Sequence, residues 1–120
     1  MPKIEIKIFA EEDGSVPFLE WMDQLPAKAQ DKCIVRIELL AEKGYELRRP
    51  LADYLRDGIY ELRVSRQGIH FRILYFFHGK QAVISHGLTK TSQVPPKEID
   101  LAIKRKIHFF KDQERHTYRG

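Results

Sequence analysis

Cysteine is almost absent from this sequence: Cys33 stands alone. No disulfide can close within the chain, and no cysteine-based metal motif can form. Such usage suits a reducing cytoplasm, which is the expected compartment. Long apolar runs are missing too. None approaches the ~18–20 residues needed to cross a bilayer. The opening "MPKIEIKIF" alternates apolar and charged residues and reads as a strand, not as a signal peptide. There is no internal repeat, low-complexity tract or linker. Charge of one sign is not in large excess. A net charge of +4 permits an anionic partner without requiring one.

What is present suffices for one core. Apolar residues make up 42% of 120, with seven Phe and five Tyr, which suits one domain. That domain is expected over residues 1–112, with "QERHTYRG" at 113–120 as a flexible basic tail. Ile4, Ile6 and Ile8 share one side of a first strand. Pro17 opens a short helix with Phe18, Leu19, Trp21 and Met22 as its core residues. A second helix runs from Pro26 to Gly44, its apolar face made by Ala29, Cys33, Ile37, Leu40 and Ala41. Cys33 reads as core. Lys28, Lys32, Arg36 and Lys43 read as a solvated face. Residues 45–58 read as a connecting loop, with room for a helical turn at 51–55. Strands follow near 59–64, 69–77 and 81–87, and a last helix after Pro95-Pro96 carries the stripe Ile99, Ile103, Ile107 and Phe110. The order β-α-α-β-β-β-α gives an α+β class: a small four-stranded sheet, antiparallel or mixed, with helices mainly on one face.

The stretch "GIYELRVSRQGIHFRILYFF" (58–77) puts three arginines and a histidine inside an otherwise apolar hairpin. With "SRQG" as a four-residue loop, Arg63 faces His70, Leu62 faces Phe71, and Glu61 faces Arg72. Faces alternate along strands. Tyr60, Leu62, Phe71, Ile73 and Tyr75 therefore point one way, and Glu61, Arg63, His70 and Arg72 the other. The "HG" turn places Ser85 beside Arg72 and Ile84 beside Ile73, and puts His86 on the core face as a core histidine. A cationic surface beside Leu74, Phe76 and Val83 suits a phosphate flanked by bases. Glu61–Arg72 also reads as an ordinary cross-strand ion pair, and Arg63 and Arg66 as solvated side chains. No metal site is expected, because no carboxylate or cysteine joins the histidines at ligand spacing.

"YELRV", "FRILYFF" and "HGLTKTSQVPPKEIDLAIKR", in that order over residues 3–112, resemble the phage-derived, host-inhibition (HigB-like) branch of the RelE/HigB/ParE toxin superfamily. The resemblance implies a RelE-like fold and a cofactor-free endoribonuclease cutting mRNA, commonly on the ribosome. It also implies inhibition by a cognate helix-turn-helix antitoxin. It points to Arg63, Arg72 and Lys90 as catalytic residues. Where the family usually carries Lys-Lys, this chain has Lys90-Thr91.

Metal-independent RNA cleavage needs a base, an acid and stabilisation of a phosphorane. Two fixed guanidinium groups can supply the last. Arginine cannot readily act as base, so His70, Glu61 and Lys90 remain as candidates. Glu61, Arg66, Ser85 and Lys97 are expected to contact RNA. The alternatives are a non-enzymatic, ParE-like protein-binding toxin acting on DNA gyrase, and an inactive relative.

Overall fold

The computed structural model describes residues 3–89 and 92–120. Among these residues nine elements follow in order: β1 (Glu5–Ile8), α1 (Pro17–Met22), α2 (Ala27–Lys43), a 3-10 turn (Gly44–Glu46), β2 (Ala52–Arg56), β3 (Ile59–Arg66), β4 (Ile69–His78), β5 (Gln81–Thr89) and α3 (Pro96–Lys111). The class is α+β, as expected. The sheet has five strands in the order β1-β5-β4-β3-β2, with β1 parallel to β5 and the rest antiparallel.

The added strand is β2, inside the stretch expected to be loop. Asp57 and Gly58 both have positive φ (51° and 84°), as a two-residue hairpin turn with the twist of its strands requires. Gln67 and Gly68 (φ 51° and 80°) make the same kind of turn between β3 and β4. The loop there is two residues long, not four, and the register moves by two. Arg63 therefore pairs with Arg72, Ser65 with His70, and Leu62 with Ile73. An even shift keeps every side chain on its expected face.

Between β4 and β5 the register also changes. Tyr75 pairs with Ile84 and Leu74 with His86, so Ser85 is the extra residue of a β-bulge. Leu88, not Ser85, sits across from Arg72, and Gly87, not Ile84, sits across from Ile73.

Both faces of the sheet are covered, which corrects the expectation of helices mainly on one. On one face Phe18, Met22, Ala29, Cys33 and Leu40 pack on Leu62, Val64, Phe71, Ile73, Tyr75 and Ile84. On the other, Ile99, Ala102 and Phe109 of α3 pack on Ile59, Leu74, Phe76 and Val83. The expected α3 stripe was rotated: Ile107 and Phe110 are about half exposed, and Arg105 is buried in place of an apolar residue. A charge can occupy that position because Glu11 accepts hydrogen bonds from Arg105 Nε and Nη2 at 3.1 and 2.9 Å. The chain after α3 is not a free tail. His116 and Thr117 are buried, and the backbone bonds of Ala10 to His116 and Tyr118 to Ile8 tie them to β1. Cys33 is buried as expected, and burial pushes its thiol up to about 11, which disfavours the reactive thiolate. Among the described residues no helix is long and apolar enough to cross a membrane.

Candidate nucleic-acid interface

β3 and β4 run past the end of β2. Ala52 is the last β2 residue paired, opposite Leu62, and Arg63 N–H then bonds Leu51 O at 2.8 Å. The next stretch of β3 therefore has a free edge. α2 closes it: Lys32 Nζ donates to Ser65 O at 2.6 Å, and Arg36 donates to the carbonyl of Arg63. α3 covers Leu74 and Phe76, and among the described residues none of α3 lines the depression at Arg63 and Arg72.

Two guanidinium groups directly across an antiparallel pair would repel. Glu61, on the same face, resolves this. Its Oε2 accepts from Arg63 Nε at 2.8 Å, and its Oε1 lies 3.3 Å from Arg72 Nε. The second contact is an ion pair whose geometry is not that of a hydrogen bond, so Arg72 Nε is buried without a hydrogen-bond partner among the described residues. Asp53 adds a contact to Arg63 Nη2 at 3.3 Å. Arg72 itself bonds the carbonyls of Phe71 (3.3 Å) and Ser92 (3.5 Å). Glu61 is 3% exposed and Arg72 9%, so this is a buried, shared carboxylate and not a surface pair.

Lys32, Arg36, Arg63, His70 and Arg72 line one shallow depression of about 370 Å³, with Pro50, Leu51, Val64 and Ser65. No carboxylate lines it among the described residues. Three of the four expected catalytic residues thus come together. The fourth, Lys90, lies outside the described residues. Glu61 sits beneath the arginines and orients them. Arg66 is half-buried at the end of β3, and Lys97 is exposed in the first turn of α3. By sequence alone Lys32 and Arg36 belong to a solvated face. Their i,i+4 spacing shows that they share a side of α2, but only the packing of α2 on β3 aims them at the site.

Ser85 belongs elsewhere. The bulge turns it and His86 toward α3, where Ser85 is fully buried. Ser85 Oγ lies 2.7 Å from His86 Nδ1, and His86 Nε2 lies 3.0 Å from Glu98 Oε1. An ionised Glu98 can only accept, so Nε2 carries the proton and Nδ1 accepts the Ser85 hydroxyl. Arg105 Nη1 donates to Ser85 Oγ at 3.4 Å. Burial, and then Arg105, hold His86 below the ordinary histidine range, against Glu98 and Glu11. The unfolded chain therefore takes up a proton near pH 6.5, and the folded chain only at lower pH. Stability should fall as pH drops below about 6.5, and His86→Gln should flatten that slope. Urea unfolding of both proteins at pH 7.5 and 5.5 checks this; identical slopes would refute it. Among the described residues, no three His, Cys, Asp or Glu side chains gather to hold a metal ion.

No curated protein matches the chain. Residues 20–106, from within α1 to late in α3, match the model of the family described as "Phage derived protein Gp49-like (DUF891)". That match takes in every residue of the depression. A match over that much of the chain shows that it belongs to the phage-derived Gp49-like family, a toxin-like family of the type II toxin–antitoxin systems.

Proposed function

We propose that the protein is a RelE/HigB-like toxin that cuts mRNA in the cytoplasm, on the ribosome, and is held inactive by a cognate helix-turn-helix antitoxin. The depression lined by Arg63, Arg72, Lys32, Arg36 and His70 carries the reading. Four fixed cations facing one open surface suit a phosphodiester and its flanking phosphates. In the reaction, the 2′-oxygen forms a bond to the adjacent phosphorus and the bond to the 5′-oxygen breaks, that oxygen leaving as a hydroxyl with a proton taken from solvent. Arg63 and Arg72 hold the phosphorane oxygens. His70, exposed at the rim, takes the 2′ proton, with Lys90 as the other candidate. Glu61 is occupied by both arginines and acts by positioning them. The antitoxin presents an acidic segment to this depression, or to α3, where Ile107 and Phe110 are exposed beside Lys104, Lys106 and Lys111.

The test is expression of the free protein in bacteria, with end-mapping of the RNA. Growth should stop, and fragments should carry 2′,3′-cyclic or 3′-phosphate ends. The purified protein should cut RNA equally well with a chelator present. Growth arrest with intact RNA would refute the nuclease and favour a protein-binding toxin acting on DNA gyrase.

A further inference from the structure

Beside the β2 edge lies a second depression, of about 400 Å³, lined by Tyr45, Tyr54, Tyr60, Arg48, Arg49 and Asp53 with Leu47 and Ala52. Its rings are exposed yet fixed. Tyr45 and Tyr54 are 57% and 52% exposed. The Tyr45 hydroxyl donates to Gly79 O at 2.5 Å, and its ring lies 4.0 Å from that of Phe77. The Tyr54 hydroxyl accepts from Gly58 N–H at 3.1 Å, and its ring meets Tyr60 edge-on at 5.1 Å. Tyr60 in turn stacks on Tyr75. Burial in a protein core does not explain aromatic faces held open to solvent. Planar ligands do.

The depression is joined to the arginine site by one carboxylate oxygen. Asp53 Oδ2 accepts from Arg49 Nε at 2.9 Å and from Arg63 Nη2 at 3.3 Å. Tyr54 pairs with Tyr60 on the α1/α2 side of the sheet and Arg63 lies on the other, so a strand with a phosphate on Arg63 would reach the rings by passing round the β2 edge at Arg49. We infer that this tyrosine–arginine depression is a subsite for single-stranded RNA, which stacks one base flanking the scissile phosphate on Tyr54 and places its phosphate on Arg49. The inference rests on the RNA reading of the arginine site and adds where the flanking base goes.

The probe is a fluorescein-labelled 2′-O-methyl hexanucleotide, which binds but lacks the nucleophile for cleavage, titrated by anisotropy. Tyr54→Ala and Arg49→Ala should each weaken binding about tenfold or more. Tyr54→Phe, which keeps the ring, should bind like the parent. Arg49 is 74% exposed at its side chain, so its variant keeps the fold; thermal melting checks this. Cleavage of unmodified RNA by Arg49→Ala should show a raised KM with kcat nearly unchanged. Unchanged affinity in Arg49→Ala and Tyr54→Ala, or no binding by the parent, overturns the subsite. If the parent binds as described but cuts no RNA, the subsite stands and the nuclease reading fails. If it cuts RNA but the variants bind normally, the reverse holds.

Discussion

Arg72→Ala is expected to lose RNA cleavage by at least ~100-fold and, separately, to lose stability. The first loss follows from removing a fixed cation from the phosphorane, for which one lost donor costs about 2.7–4 kcal/mol of barrier. The second follows from Glu61. That carboxylate is 3% exposed and shared between Arg63 and Arg72. Without Arg72 it keeps one partner in a buried setting, at a cost of about 1–3 kcal/mol. The two effects separate in the double variant. Adding Glu61→Gln removes the buried charge and should return much of the stability, without returning cleavage. Arg72→Lys should recover part of the activity, because a point charge cannot copy the planar fork. Arg63→Ala should cost cleavage at less stability, since its side chain is 35% exposed and Asp53 retains Arg49. Urea denaturation and RNA cleavage on the same samples give both quantities. An Arg72→Ala protein that cuts RNA like the parent would remove the arginine pair from the chemistry.

The grouping of these arginines was legible in the sequence because it depends only on alternation. Period-two patterning put Glu61, Arg63, His70 and Arg72 on one face. That result survived a register error of two residues, which leaves faces unchanged. Distances did not survive it: Arg63 meets Arg72 and not His70. A four-residue "SRQG" loop is longer than the turn needs, because Gln67-Gly68 alone supplies both positive-φ positions. The same signal, Asp57-Gly58, announced the hairpin that makes β2, but Pro50 and the charges around it argued for loop. The bulge at Ser85 could not be read. It adds one residue to β5 and so reverses the faces beyond it, taking His86 from the expected α1/α2 side to α3. The α3 stripe failed for a related reason. Arg105 looks polar in one dimension and is buried only because Glu11, remote in sequence, meets it. Lys32 and Arg36 stayed hidden because tertiary packing, not spacing, aims a helix charge at a strand edge.

Gly87→Ala should be among the most destabilising single substitutions in the chain, though it adds one methyl group. Gly87 lies on β5 opposite Ile73, on the face covered by α1. A Cβ there would fall 2.2 Å from Trp21 Cε3 and 2.4 Å from two further ring atoms. The indole has little freedom to move aside. Its Nε1 donates to Thr89 Oγ1 at 2.8 Å, and Phe18 and Phe71 flank it with ring centroids 5.9 and 6.2 Å away. Relief therefore requires breaking the Thr89 bond or lifting α1 from the sheet. Overpacking of this kind costs about 1–3 kcal/mol, and more where neighbours cannot yield. For a chain of this size that is a fall in Tm of roughly 5–15 °C. The glycine of "HGLTKTSQ", Gly87, is thus explained by the packing of a tryptophan. Leu88 and Arg72 are paired next to it, so a displaced β5 also disturbs the site. Trp21→Leu distinguishes the causes. Alone it should destabilise by lost burial. Combined with Gly87→Ala it should cost at least ~1 kcal/mol less than the two single changes taken together, because the methyl group then has room. Additive losses would mean that the ring is not what excludes a side chain at residue 87.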